Sequence, residues 1–508
     1  MSRLFNFFTR SPLLRNTAAN AFGQFAAPLL NLLLVPFYVS RLGLEGYGLL
    51  VFFSTLGVAL TVFSSGIGWA LSREASRRNA SPAERETLPG LIRTFEVLYW
   101  TIAAAVAVAI FAFAPWIAAH WLETSMPAGE ALMALRAAGL RIGLAFPFAV
   151  YYVVLQALQR QVQLNSILSV GAVVSAAGAA VAVALTSSVT GYTLADGLTT
   201  LVTVLVLSRL VRSHAAHGRF QLAELSRLWR MSLSLVWVHG VGVMIKQLDR
   251  IIMSKLLPLA SLGVYSAGTA GGRVMPLVYA PFTSAVYPQT CAIAVRGDDD
   301  AFAAHVIRNA TAVFVFSLGA ALPAAFFPAD LLLAWTRNAS IAAGGAGAMV
   351  IFVIAAVFNA GTHTLYQSHV AKGLTAPAVR LNTFSIFWFP LALWGLVARF
   401  GVAGAAGAWL LYSVTTWLYY LWTTPALTGR KRLTYLRKLV LVTAAAVPAA
   451  AAARWLAVEF FGQNLWLRVS CAIAAGGLVL AAGGLTAFGR QFRSIMVFRP
   501  STGGALDP

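Results

Sequence analysis

Charged side chains are scarce in this sequence, yet four groups able to do chemistry fall close together. His239, Lys246, Asp249 and Arg250 lie within one apolar stretch, residues 231–254. On a helix of 3.6 residues per turn, spacings of seven (His239 to Lys246) and four (Lys246 to Arg250) make one stripe, with Asp249 on its shoulder. Ser232 extends it. Ionisable groups in a segment long enough to span a bilayer are costly and are usually tied to function. Such a stripe suits a watery cavity in which Lys246 and Arg250 meet an anion. Asp249 and His239 suit proton or sodium coupling. The plainer alternative is that the bases reach for the membrane interface along their apolar stems, with Asp249 paired to a neighbouring helix.

Arg273 lies near the middle of the next apolar stretch, 260–290, beside Gly271, Gly272 and Pro276. Glycines and proline there predict a broken helix, whose freed backbone groups are tolerated only against protein or water. The planar guanidinium fork suits phosphate; a structural salt bridge is the alternative. Arg141, with Arg136, marks the outer end of the fourth apolar stretch, where it grips substrate or snorkels. Asp196 is a titrating group or a helix cap. His363 and His369 are six residues apart, so they share a face poorly; a packed or hydrogen-bonded histidine is favoured over a gating or relay role. Cys291 and Cys471 show no metal-ligand or disulfide spacing.

Motifs for catalysis are missing. There is no Walker A loop, no H-E-x-x-H, no G-x-S-x-G elbow and no dinucleotide fingerprint. The expectation is a protein that is not an enzyme, with no cofactor or metal, and with H+ or Na+ as the candidate coupling ion.

The elements carrying these residues must be membrane helices. The 508 residues are 59% hydrophobic and 10% charged, with a mean hydropathy of +0.76. Soluble domains carry roughly 25% charged residues. Fourteen apolar stretches of spanning length are predicted at 17–39, 46–71, 95–119, 137–158, 166–187, 190–211, 231–254, 260–290, 307–328, 345–370, 377–398, 402–424, 437–457 and 465–488. The first is too long for a signal-peptide core and has no small-residue cleavage site, so it reads as a retained helix.

The net charge of +21 would suggest nucleic acid in a soluble protein, but here the bases sit in short loops. With a cytoplasmic N-terminus, 26 of the 37 Lys and Arg fall inside, eight fall outside, and Lys246, Arg250 and Arg273 remain within spans. That bias predicts cytoplasmic termini. The aromatic group Trp417, Tyr419, Tyr420 and Trp422 reads as an interfacial belt.

A faint internal repeat organises the chain. Ser40-Arg41-Leu42-Gly43-Leu44-Glu45-Gly46-Tyr47-Gly48 links the first two spans. Ser254-Lys255-Leu256-Leu257-Pro258-Leu259-Ala260-Ser261-Leu262-Gly263-Val264-Tyr265-Ser266 links the seventh and eighth. Both leave a helix of the same direction, as in parallel repeats. The expected fold is all-α and polytopic: a lobe at 1–211, a second at 212–425, and two added helices with a short tail at 426–508.

The stretch Asn16 through Arg78 resembles the start of bacterial polysaccharide transporters, the lipid-linked oligosaccharide flippases of the MOP (MATE-like) superfamily. Asn20, Gly23, Pro36, the run Leu42 to Gly48, Gly66-Ile67-Gly68 and Ala70-Leu71-Ser72-Arg73-Glu74 carry the likeness. Gln247-Leu248-Asp249-Arg250-Ile251-Ile252, Gly263-Val264-Tyr265-Ser266, Pro281 and Pro288 carry it in the second half. The last 150 residues agree only in hydropathy.

The resemblance implies two lobes around a cavity, alternating access, and an undecaprenyl-pyrophosphate-linked oligosaccharide flipped across the bacterial inner membrane for O-antigen or exopolysaccharide synthesis. Implied partners are membrane lipids, the lipid-linked substrate and polysaccharide assembly proteins, with no nucleic acid and a monomeric chain. Two rival readings stay open. A multidrug antiporter of the same fold would favour cavity carboxylates over bases. A membrane glycan polymerase or ligase would need a larger outer loop.

Overall fold

The computed structural model describes residues 12–213 and 218–489, with side chains described from Leu30 onward except at 63, 65 and 230–239. These residues are helical almost throughout, and no strand occurs among them. The sequence leaves little choice. In hydrocarbon every backbone N–H and C=O must be satisfied within its own segment, and a helix does that.

The helices are α1 (Pro12–Ala80), α2 (Leu88–Trp116), α3 (Ala128–Ala157), α4 (Gln161–Thr186), α5 (Val189–Arg212), α6 (Leu222–Ile245), α7 (Leu248–Leu256) and α8 (Leu259–Arg273). They continue with α9 (Met275–Val295), α10 (Asp299–Phe326), α11 (Pro328–Thr336), α12 (Ala339–Ala371), α13 (Ala376–Thr423), α14 (Arg430–Phe461) and α15 (Leu465–Phe488).

Ten helical stretches are long and apolar enough to cross a membrane. Two long helices are pairs joined across a glycine: α1 turns at Gly43 (φ 71°) and α13 at Gly401 (φ 56°). Only glycine adopts such angles without strain. The expected stretches 231–254 and 260–290 are each broken, into α6–α7 and α8–α9, and are not among the ten. The break predicted near Gly271 and Pro276 is present: α8 ends at Arg273 and α9 begins at Met275.

By proximity of the backbone the chain divides into two compact units. The first comprises 1–266 with 393–401, and the second 267–392 with 402–508. The six-plus-six-plus-two division at 211 and 425 remains a proposal drawn from sequence.

In the first unit, Phe95, Tyr99, Tyr151, Val154 and Leu207 form the buried heart of α2, α3 and α5. Polar groups inside it are satisfied. Tyr99 donates to Ser64 O at 2.9 Å, and Trp100 Nε1 donates to Tyr151, which donates to Glu96 at 2.6 Å. Arg93 and Arg212 neutralise Glu96 at 2.6 and 2.8 Å. α4 lies at the opposite extreme. Only 11% of its most apolar window is buried.

The second unit has two apolar clusters. One gathers Phe302, Leu365, Tyr420, Leu427 and Tyr435, so Tyr420 is a core residue and does not belong to an interfacial belt. Trp422 does fit the belt, at 67% exposed, with the Arg432 guanidinium 4.0 Å from its ring centre. The other cluster packs Phe327 against Ala453, Ala457, Ala472 and Ala475 of α14 and α15.

Candidate functional site

The first unit encloses a cavity of about 350 Å³. α1 contributes Asn31, Tyr38, Tyr47 and Ser54; α3 contributes Arg141; α4, Ser175; α5, Tyr192 and Asp196; α7, Arg250; α8, Ser266. Its centre is an ion pair. Arg141 Nε donates to Asp196 Oδ2 at 2.7 Å, and Ser175 Oγ donates to Asp196 Oδ1 at 2.5 Å. Asp196 is not a cap. That place belongs to Ser188, whose hydroxyl accepts from Gly191 N at 2.9 Å, two turns earlier. The Tyr38 and Tyr192 rings meet edge to face at 5.2 Å.

Arg250 reaches this cavity because the helix before it stops. α6 ends at Ile245 and α7 starts at Leu248, so the single stripe expected from an unbroken helix does not form. Lys246 becomes the residue after the last turn of α6 and is exposed; it does not line the cavity. Asp249 is fully buried. Its Oδ1 accepts from Arg250 N at 2.9 Å and its Oδ2 from Tyr265 Oη at 2.6 Å. The carboxylate therefore anchors the first turn of α7, where it also suits the positive end of a helix.

The remaining candidates go elsewhere. Arg273 belongs to the second unit, where its Nε donates to Thr269 Oγ1 at 3.2 Å and its guanidinium sits 5.0 Å from the Phe352 ring centre. His363 faces the Tyr279 ring at 5.5 Å. His369 is buried, with ring nitrogens 3.0 and 3.1 Å from the Leu365 and Thr423 carbonyl oxygens. Arg136 lies 4.4 Å from the Phe111 ring centre. The side chains of His239 and Ser232 lie outside the described residues.

Of the residues singled out in the sequence, then, Arg141, Asp196 and Arg250 share a cavity, and Asp249 supports Arg250 from behind. Sequence reading missed Tyr38, Tyr47, Tyr192 and Ser175. A tyrosine or serine in an apolar helix gives no charge signal, and only Tyr47 carried a hint, as part of the repeat.

The cavity wall carries two arginines and one carboxylate, with the Asp249 carboxylate behind Arg250, in surroundings that screen poorly. It can bind an anion, with Asp196 as the resident counter-charge and the tyrosine rings as flat apolar walls. No group of three or more His, Cys, Asp or Glu able to hold a metal occurs among the described residues.

A family profile described as "polysaccharide biosynthesis protein" matches residues 13–292. The chain belongs to that family. Among solved structures, this family member is similar to a lipid II flippase, MurJ, in an inward closed conformation. The identity is 13% and the TM-score 0.72, covering 95% of this chain and all of that one. It is also similar to an inward-facing multidrug resistance MATE transporter of the MOP superfamily, at 15% identity and TM-score 0.59, over 82% of this chain and 99% of that one. A MOP superfamily transporter from Pyrococcus furiosus, noted for a binding pocket of reversed polarity, matches at 14% identity and TM-score 0.53, over 84% and 95%. No curated protein matches the chain by sequence. The family member thus has the fold of MOP superfamily transporters and is a multi-pass membrane protein.

Proposed function

We propose that this protein is a flippase that moves an undecaprenyl-pyrophosphate-linked oligosaccharide repeat unit across the bacterial inner membrane, for O-antigen or exopolysaccharide synthesis. One observation carries the reading: Arg141, paired with Asp196, and Arg250 line one cavity. A pyrophosphate-sugar head crossing bare hydrocarbon faces a barrier on the order of tens of kcal/mol. Two guanidinium forks replace its hydration, because each presents paired N–H donors matched to phosphate oxygens. The family assignment supports polysaccharide synthesis as the setting.

In this mechanism the incoming diphosphate competes with Asp196 for Arg141, and alternating access exposes the loaded cavity to the other face. Protons or sodium ions at Asp196 are the candidate drive, and both termini lie in the cytoplasm of a monomeric protein. Membrane lipids and polysaccharide assembly proteins are the expected partners. Arg273 and Lys246, outside this cavity, are proposed as secondary contacts for the sugar head.

A second reading rests on Asp196 itself. A carboxylate in the cavity of a MATE-like fold suits export of organic cations. Deletion of the protein in its source bacterium separates the two readings. The flippase reading requires loss of surface polysaccharide and build-up of single lipid-linked repeat units on the inner leaflet. Arg141→Glu and Arg250→Glu should reproduce that loss with protein levels in the membrane unchanged. Normal lipid-linked glycans with new sensitivity to cationic drugs would overturn it in favour of export.

A further inference from the structure

α7, which carries Arg250, takes its direction from neither neighbour in the chain. α6 stops at Ile245, and beyond α7 the backbone is extended at Leu257 (φ −133°, ψ 153°), ahead of Pro258. A helix of nine residues is marginal by itself. What places Arg250 is therefore whatever α7 is fastened to. Asp249 and Tyr265 fasten its first turn. Its last turn is fastened from another part of the first unit.

That second fastening comes from the end of α2. There the chain widens into a π turn, Ile117–Trp121, closed by Leu122 N donating to Ile117 O at 3.1 Å. Such turns are rare and frequently mark functional sites. From this turn Trp121 Nε1 donates to Ser254 Oγ at 3.1 Å. Ser254 is fully buried and follows Arg250 by four residues, so the two are neighbours on one helix face. The last carbonyls of a helix lack partners inside it. Lys255 Nζ donates to one of them, His120 O, at 2.6 Å, where a cation also suits the negative end of a helix. The Lys255 ammonium lies 5.8 Å from the Trp121 ring centre.

The loop that follows reaches both copies of the repeated motif. Glu123 O accepts from Leu259 N, at the start of α8, at 3.0 Å. Glu45, in the first copy, accepts from Thr124 Oγ1 at 2.8 Å and from Ser125 N and Oγ at 3.0 and 2.9 Å. The segment 117–125 is thus anchored on α1 at Glu45 and bears on α7 at Ser254 and Lys255.

We propose that Trp121 is a positioning residue for Arg250: through Ser254 it fixes the last turn of α7, and so the reach of the Arg250 guanidinium into the anion cavity. Trp121 itself does not line that cavity. The role rests on the flippase reading, which supplies the anion that Arg250 meets, and it adds a residue from outside the cavity to that site.

The test is binding of inorganic pyrophosphate by the full-length protein in nanodiscs. Trp121→Phe keeps an aromatic ring and removes the donor. The Ser254 hydroxyl still donates to Ile251 O at 2.8 Å, so the change strands no hydrogen. Pyrophosphate affinity should fall about threefold, in keeping with one hydrogen bond of modest net worth. Ser254→Ala deletes the same bond from the other side and should give the same loss, and the double variant should lose no more than either single one. In an Arg250→Ala background neither change should alter the residual affinity that Arg141 provides, because there is then no guanidinium on α7 to misplace.

Unchanged affinity in both single variants, or an equal loss with and without Arg250, would overturn the positioning role and leave the flippase reading standing. A wild type that binds no pyrophosphate, or binding that survives Arg141→Glu with Arg250→Glu, would remove that reading and the role with it.

Discussion

Gly48 lies so close to Leu259 that a methyl group on its α-carbon would fall 2.0 Å from the Leu259 carbonyl oxygen. Gly263 answers in kind, its missing methyl falling 2.5 Å from the Leu44 oxygen. These glycines belong to the two copies of the repeated loop motif. The copies therefore cross backbone to backbone, and the residues beside the crossing, Tyr47 and Ser266, reach the cavity wall. In lipid such close approach does the work that hydrophobic burial does in water.

Gly48→Ala and Gly263→Ala should each lower stability by about 1–3 kcal/mol, because the added carbon meets backbone that cannot move aside. Gly347→Ala, with open space around its α-carbon, should be neutral. Thermal unfolding in nanodiscs checks all three.

Tyr265 and Asp249 make a second prediction. Tyr265→Phe removes the 2.6 Å hydrogen bond to Asp249 Oδ2 and so loosens the turn carrying Arg250. Pyrophosphate affinity should fall about threefold to tenfold, within the roughly 0.5–1.5 kcal/mol net worth of a typical intramolecular hydrogen bond. In an Arg250→Ala background the same change should cost nothing. An equal loss in both backgrounds would make the pair structural only.

A buried arginine ties the ends of α1 and α6. Arg78, at 3% side-chain exposure, donates to Glu74 at 2.9 Å, to both oxygens of Glu224 at 2.9 and 2.8 Å, and to Thr87 O at 3.1 Å. Arg227 also pairs with both glutamates. Arg78→Ala should destabilise by about 1–3 kcal/mol, because it removes the buried hydrogen bonds to Glu74, Glu224 and Thr87 O while Arg77 and Arg227 still neutralise the carboxylates. Folding yield and thermal midpoint are the measurements.

The same network fixes a pH response. Glu74, beyond the apolar stretch of α1, has its carboxyl lowered from 4.5 to about 2, chiefly by its hydrogen bond with Arg77, with Arg78 and Arg227 adding to that against the effect of burial. A carboxyl whose pKa falls on folding stabilises the fold where it is ionised. Its contribution is full above about pH 4.5 and gone below about pH 2. The thermal midpoint of Glu74→Gln should therefore drop less than that of wild type as pH falls from 4.5 to 2.

Asp330 plays a comparable part in the second unit. It accepts from Arg454 of α14 and, at 3.2 Å, from Arg468 of α15, holding both helices to α11. Asp330→Ala should cost roughly 2 kcal/mol, below the 3–5 of a fully buried pair because Arg454 is one-third exposed. Protease sensitivity of the 430–488 region should rise in parallel.

Much of this was legible in the residues. The apolar runs demanded membrane helices, since spanning backbone has no other way to satisfy its polar groups. Gly271, Gly272 and Pro276 announced the break between α8 and α9, and the run Ser40 to Gly48 marked the link where α1 turns. The motif Leu42 to Gly48 pointed to the family. Arg141, Asp196 and Arg250 stood out because a charge within hydrocarbon is conspicuous wherever it falls.

Tertiary structure alone decided which of those charges meet. Periodicity assumed one unbroken helix through Lys246, but the chain interrupts it there, so Lys246 and Arg250 part company and Asp249 turns inward. Arg141 and Asp196 are separated by 55 residues, and no local rule pairs them. Helix spacing reports which face a residue shares with its neighbours three and four away. Which faces of two helices come together is settled by the packing of small residues along their whole length, and that information is spread over the entire chain.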